Sequence, residues 1–216
     1  MTPIPTRSTA HRVIVTRRKL MVLAAAAGAT TILPVRVLAQ DQSLTPDTVL
    51  RDPDAPVLGN PQGDVTVVEY FDYQCPFCKR MHPALTDVVA RDGKVRLVMK
   101  DWPIFGAPSV YATQLVLGAQ SLGLYEPAHA ALMATEGRLS EQQIDTALSP
   151  VVDPSKALAA YRQDRDRWDG LLQRNDFQAV ALGFQGTPAL AVETTLYSGA
   201  LDKRALEDAI ATARNS

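Results

Sequence analysis

The chain contains only two cysteines, Cys75 and Cys78, among its 216 residues. That count excludes a small fold stapled by several disulfides, and it excludes a zinc centre of four thiolates. There is no internal repeat and no low-complexity tract. A glycine-rich phosphate loop and a Ser–His–Asp signature are also missing, so no cofactor is expected. No apolar run reaches the roughly 20 residues of a comfortable membrane span. Acidic residues are absent from residues 1–39, which carry Arg7, Arg12, Arg17, Arg18, Lys19 and Arg36. What is present is ordinary for a globular protein: 46% hydrophobic and 21% charged residues, which rules out a disordered or collagen-like chain.

The formal net charge of -1 averages two unlike regions. Six of the 22 basic residues fall in residues 1–39, leaving 16 against 23 acidic ones, a net of -7. Nothing in the remainder forms a basic stripe, so nucleic acid is not an expected partner. The front segment has a basic stretch ending at Arg17-Arg18-Lys19 and then an apolar run from about Leu20 to Leu33. Val37-Leu38-Ala39 follows as a cleavage site, which completes the three-part layout of a secretory signal peptide. Thr16-Arg17-Arg18-Lys19-Leu20 resembles the bacterial twin-arginine signal. The expectation is a signal peptide over 1–39, read by that route or by general secretion. The mature chain would then start near Gln40 in an oxidising, periplasmic compartment.

Residues 40–64 are rich in Asp, Pro and Gly and read as an N-terminal tether and loop. The β-branched and aromatic run Val65–Phe71 reads as a buried strand. A helix is expected from Cys75 to about Arg91, stopped by Asp92-Gly93, and a second strand from Val95 to Met99, ending at Lys100. This is a βαβ unit with parallel strands. Helices follow. Ser109 is read as one cap, Ser140 to Gln143 as a capping box, and Asp153-Pro154 as another start. Trp168, Leu171, Leu172 and Val180 suggest a buried stripe. Strands return at Ala189–Val192 and Leu196–Ser198, before a last helix capped by Asp202. The fold class is therefore α/β, with a helical insertion at about 107–175 inside a domain covering 65–216.

Cys75-Pro76-Phe77-Cys78 joins the first strand to the first helix. Cysteines three apart on a first helical turn can close a small disulfide ring, and Pro76 is tolerated there. Unpaired backbone N–H groups and the helix dipole stabilise a thiolate at Cys75, which makes it the attacking sulfur and a good leaving group. Cys78, one turn deeper, is the resolving thiol. Three other readings compete. A structural disulfide across two residues closes too small a loop to stabilise much. A zinc site with His82 and His129 is not demanded by the spacing. A copper-binding protein using Cys75, Cys78 and His82 is the non-enzymatic alternative.

With these residues in place, the chain resembles the DsbA-like branch of the thioredoxin superfamily over about Pro56 to Ile210. Val65 to Cys78 (VTVVEYFDYQCPFC), Trp102-Pro103-Ile104 and Gly186-Thr187-Pro188 carry the resemblance, together with the helical insertion. It implies a thioredoxin-like βαβ–ββα fold. It also implies a cis-proline at Pro188 facing the cysteines, and a Thr187 backbone that pairs with an extended substrate segment. Glu69, an acid in an apolar strand, matches the family's buried proton shuttle, and a structural ion pair is the equal alternative. Lys100 matches the position that pairs with Glu69, and Pro83 the proline that kinks the active-site helix. His82 reads as a surface residue. Phe77 stands where the strongest oxidases carry histidine, so a weaker oxidant is expected. Glu193-Thr194-Thr195 replaces a glycine turn common in relatives.

The function implied is a periplasmic thiol–disulfide oxidoreductase, acting as a dithiol oxidase on reduced exported proteins. A membrane partner, such as a quinone-linked thiol oxidase, would reoxidise it. The enzymatic alternative is an isomerase or reductase kept reduced by a different membrane partner. Isomerases resembling DsbC or DsbG carry a sizeable N-terminal dimerisation domain. Residues 40–64 are too few and too polar for one, so a monomer is expected.

Overall fold

The computed structural model describes residues 44–216, and the expected signal peptide at 1–39 lies outside them. The sheet is built around β2, Val65–Phe71, every residue of which is buried. A strand covered on both faces reads as a continuous β-branched and aromatic run rather than an alternating one. On one side β2 pairs in parallel with β3, Val95–Asp101, from Val65↔Val95 to Phe71↔Asp101. On the other it pairs antiparallel with β4, Ala189–Val192. β5, Thr195–Ser198, extends the sheet beyond β4. At the far edge β1, Val57–Gly59, pairs antiparallel with β3, giving the order β1-β3-β2-β4-β5.

The parallel β2–β3 pair requires a crossover, supplied by α2, Pro76–Asp92. Gly93 ends that helix in the left-handed conformation, φ 69°, which lets its N–H donate to the Val89 carbonyl. Five helices separate β3 from β4: α3 (Ala107–Ser121), α4 (Tyr125–Met133), α5 (Glu141–Leu148), α6 (Pro154–Gln163) and α7 (Arg165–Ala181). Ser140 closes a capping box on α5, and Asp153 caps α6 ahead of Pro154. Helix α8, Lys203–Arg214, is capped by Asp202 and packs beside α2. Lys203 of α8 also pairs with Asp87 of α2 at 2.7 Å. Helices α3 and α6 approach so closely that a Cβ at Gly118 would sit 1.9 Å from the Ala157 carbonyl oxygen.

Several elements differ from the sequence reading. Residues 46–59, expected as tether and loop, contain α1 (Pro46–Leu50) and β1. Val49 and Leu50 are buried, and Thr45 with Thr48 makes a capping box. The polar residues that suggested a loop make contacts instead. Arg174 of α7 holds Asp52 at 2.9 Å and Asp54 at 2.8 Å, and Arg167 holds Asp54 at 2.7 Å. Pro108 lets α3 start earlier than expected, with Gly106 as its N-cap, so Ser109 lies inside the helix. Val180 is 63% exposed and off the buried face of α7, which is made by Trp168, Leu171, Asn175 and Gln178. Helix α7 also runs past the expected insertion boundary and returns to the sheet, where Gln178 accepts from the Tyr70 hydroxyl at 3.1 Å. The β4–β5 turn has Glu193 at φ 49°, and its carboxylate accepts from the Thr66 N–H.

Side-chain alternation along β2 sorts the site residues by face. Val67, Glu69 and Phe71 point to one side, Val68 and Tyr70 to the other. The register carries this to β3: Met99 and Asp101 share the face of Glu69, while Lys100 shares that of Tyr70. The Tyr70 face is covered by α1 and α7, linked by a Gln178 side-chain N–H that donates to the Thr48 carbonyl at 3.0 Å. The opposite face lies under the N-terminus of α2 and under α4, whose His129 meets the Phe71 ring at 5.0 Å.

Candidate active site

Cys75 is the N-cap of α2 and has extended backbone angles. Its N–H donates to the Asp72 carbonyl at 3.0 Å, which fixes the strand-to-helix turn. Its sulfur accepts the Cys78 N–H at 3.4 Å, and its thiol donates to the Thr187 carbonyl oxygen at 3.1 Å. The Thr187–Pro188 peptide is cis, and Thr187 thus lies across the sulfur from the helix terminus. Both cysteines are free and buried.

The two thiols are strongly unequal. Hydrogen bonding from the Cys78 thiol, opposed by burial and joined by the N–H groups of Cys78 and Phe77, holds Cys75 down at about 6. Cys78 is pushed far above the ordinary thiol range by burial, by its hydrogen bond to Cys75, and by the charges of Glu69 and Cys75. At neutral pH the arrangement is a thiolate at the helix terminus beside a buried neutral thiol.

Glu69 lies beneath this pair. Both carboxyl oxygens are buried without a hydrogen-bond partner. Burial, then the charge of Cys75 and that of Asp101, raises Glu69 to about 8. A carboxyl with such a value is mainly neutral at pH 7 and can give a proton to, or take one from, a neighbouring sulfur.

Lys100 does not partner Glu69. It sits opposite Tyr70 in the ladder, on the other face of the sheet, and its Nζ lies 3.7 Å from Asp52 Oδ2. Met99 is the residue opposite Glu69. Burial lowers Lys100 to about 8 even with Asp52 beside it. A two-residue side-chain period forbids Glu69 and Lys100 from sharing a face in this register. His82 is also not a surface residue: it is half-buried, with its ring 4.9 Å from His129. Phe77 is 55% exposed, with the Arg80 guanidinium 4.5 Å over its ring.

Two buried acids at the cysteine end of the sheet escaped the sequence reading. Asp72 Oδ1 accepts from the Gln74 N–H and the Ser109 hydroxyl, both at 2.7 Å. Its Oδ2 accepts from the N–H groups of Ile104 and Phe105 at 2.7 and 3.1 Å. Asp72 thus ties the end of β2 to the loop after β3 and sets the half-exposed Ile104 and Phe105 at the cysteine end of the sheet. Asp101, the last residue of β3, is wholly buried on the face of Glu69. Its signal was available: a strand continued by two residues past Met99 puts Asp101 in phase with Glu69.

A strand-to-helix CxxC facing a cis-proline, on a five-stranded sheet with a helical insertion, defines a thioredoxin-like oxidoreductase. The thioredoxin family model matches residues 51–212, and the chain belongs to that family. It is similar to a thioredoxin-like oxidoreductase from Silicibacter pomeroyi: 37% identical, TM-score 0.76, covering 80% of this chain and 99% of that one. The catalytic domain of Proteus mirabilis ScsC is 27% identical, with a TM-score of 0.69 over 79% of this chain and 94% of that one. The thiol-disulfide exchange protein alpha-DsbA2 from Wolbachia pipientis shares the fold, with a TM-score of 0.71 at 24% identity over 77% of this chain and 90% of that one. The chain spans about a quarter of the length of the curated relatives it matches, Na(+)/H(+) antiporters NhaA such as that of Nitrosospira multiformis, 25% identical over 155 residues and 71% of this chain.

Proposed function

We propose that the protein is an exported thiol–disulfide oxidoreductase that works as a dithiol oxidase through Cys75 and Cys78. The observation that carries this reading is the inequality of the two thiols. With Cys75 held at about 6, roughly 90% of it is thiolate at pH 7 in the reduced pair. A sulfur that is stable as a thiolate leaves readily, so the disulfide gives up its oxidising equivalents readily.

In the forward cycle a substrate thiolate attacks the Cys75 sulfur of the oxidised pair. The Cys75–Cys78 bond breaks, a mixed disulfide forms at Cys75, and Cys78 leaves with the electron pair. Neutral Glu69 supplies the proton that makes Cys78 a thiol. A second substrate thiolate then attacks the substrate sulfur, forming the substrate disulfide and releasing Cys75 as thiolate. The Thr187 backbone and the exposed Phe77, Ile104 and Phe105 side chains offer an extended, apolar seat for a reduced exported protein. Reoxidation falls to a membrane thiol oxidase, and export to the basic segment of residues 1–39.

A weaker oxidant acting as isomerase or reductase is the second reading, favoured by Phe77, which brings no positive charge to the thiolate. Measuring the reduction potential against glutathione, with the unfolding free energy of both redox forms, separates them. An oxidase is more stable reduced than oxidised. A disulfide form that is the more stable, with a potential near that of thioredoxin, rejects the oxidase assignment.

A further inference from the structure

Glu69 and Asp101 lie on one face of adjacent parallel strands, offset by one side-chain step: Glu69 stands opposite Met99, and Asp101 opposite Phe71. Both are completely buried. Neither Glu69 oxygen has a hydrogen-bond partner, and Asp101 Oδ2 has none, while Asp101 Oδ1 accepts from the Thr113 hydroxyl at 3.3 Å. Among the described residues no Lys or Arg makes an ion pair or hydrogen bond with either carboxyl. Lys100 is on the far face with Asp52, and Lys79 Nζ is spent on Thr135 and the Gly137 carbonyl.

The other groups turned toward this pocket bring no cation. Cys75 and Cys78 come from α2, Asp72 and Tyr73 from the turn after β2, and Tyr125 and His129 from α4. His129 accepts or donates at Nδ1 with the Tyr73 hydroxyl at 3.0 Å and packs on His82. Burial, with His82 beside it, pushes His129 well below the usual imidazole range, so it stays neutral. From the other flank β4 sets Leu190 against Glu69, and α8 buries Leu206 and Ile210. Two carboxylates in a dry, cation-free pocket cannot both ionise near neutral pH.

We propose that Asp101 is a positioning residue for the proton traffic at Cys78, forming with Glu69 a buried carboxyl pair that holds one proton between its two members. When that proton sits on Asp101, Glu69 is a carboxylate that can take the Cys78 thiol proton. When it sits on Glu69, Glu69 can return a proton to the Cys78 thiolate. Burial raises both Asp101 and Glu69 to about 8, so the pair gives up its first proton as pH approaches that value and is singly protonated around it. In the reducing direction Cys78 passes its thiol proton to Glu69. Cys78–SH and Glu69–COO⁻ give Cys78–S⁻ and Glu69–COOH. The Cys78 thiolate then attacks the mixed disulfide at Cys75 and expels the bound thiolate.

This rests on the exchange reading above, and the test keeps the two apart. Reduced protein is mixed in stopped flow with Ellman's disulfide. Cys75 releases a first chromophoric thiolate and keeps the second as a mixed disulfide, which Cys78 then expels. In Asp101→Asn the first phase should stay within about two-fold of wild type. The second should slow about three- to ten-fold at pH 7, the Brønsted loss expected of a base weakened by about one unit. Removing the Asp101 charge makes Glu69 a weaker base, so the pH midpoint of the second phase should move down by about one unit. A purely structural role would slow the phase without moving its midpoint. An unchanged second phase, or an unmoved midpoint, overturns the pairing. A wild type that expels no second thiolate overturns the exchange reading, and the role of Asp101 with it.

Infrared spectroscopy of the reduced wild type guards against a variant that fails to fold. A neutral carboxylic acid stretch at pH 7 that disappears on alkaline titration is expected. Two fully ionised carboxylates at pH 7 overturn the proposal without any variant.

Discussion

The thiol of Cys78 should govern the ionisation of Cys75, and Cys78→Ala tests this. In the reduced protein the Cys78 thiol is the largest influence holding Cys75 at about 6, ahead of the helix N–H groups. A hydrogen bond to a charged group is worth about 1.5–3 kcal/mol, and one pKa unit corresponds to about 1.4 kcal/mol. Losing that donor should therefore raise Cys75 by about one to two units. Thiolate absorbance in the far ultraviolet, followed against pH, reads the midpoint directly.

Alkylation by iodoacetamide supplies a second reading whose sign changes with pH. Thiolate nucleophilicity rises with pKa with a Brønsted coefficient of about 0.4–0.5, so a variant with fewer thiolates has stronger ones. At pH 5 the variant should react roughly three- to ten-fold more slowly than wild type, because its thiolate is scarcer. Near pH 7 the two rates should nearly coincide, and above about pH 9 the variant should be several-fold faster. A wild-type midpoint at or above 8, or profiles that never cross, would refute the assignment of Cys75 as a thiolate sustained by Cys78.

Phe77→His should place an imidazolium beside the thiolate, lowering the Cys75 midpoint. It should raise the reduction potential by about 30 mV for each tenfold gain in stability of the reduced form, read by glutathione equilibration. Lys100→Met should leave the Cys78 exchange step unchanged, because Lys100 is on the opposite face; a ten-fold effect on that step would return it to the proton relay. Because burial lowers Lys100 in the fold to about 8, its folding penalty lies below that value and fades as pH rises toward its unfolded value of about 10.4. Urea unfolding should show that pH-dependent gain in wild type and its absence in Lys100→Met. Glu69 is raised by burial, so its stabilising contribution is complete below its ordinary value of 4.5 and is lost as pH climbs through about 8. Glu69→Gln should flatten that part of the urea midpoint profile. Gly118→Ala should cost about 1–3 kcal/mol or more in thermal unfolding, since its Cβ would meet the Ala157 backbone rather than a side chain that can move.

The parts of the site that the sequence made legible are those whose signal is local. Cys75, Pro76 and Cys78 announce a helix start by their order alone, and Val65–Phe71 announces a buried strand by composition. Capping at Ser140, Asp153 and Asp202 is equally local, because the bond runs from a side chain to an N–H two or three residues on. The parts misread depend on partners far away in the chain. Asp52 and Asp54 suggest a loop until Arg174, more than 100 residues later, supplies their counter-charge. Ser109 looks like a cap until Asp72 claims its hydroxyl.

Lys100 shows the sharpest form of this limit. Composition correctly placed a strand ending near it, but its neighbour across the sheet depends on a register that local sequence does not specify. A shift of one residue in register reverses which side chains share a face. The observed register takes the cation away from Glu69 and puts a second acid in its place. The chemistry inferred for the site changes accordingly. A Glu–Lys pair would fix Glu69 as a carboxylate and leave it a poor proton donor. The Glu69–Asp101 arrangement keeps a proton in the pocket at neutral pH, where the departing Cys78 thiolate needs one.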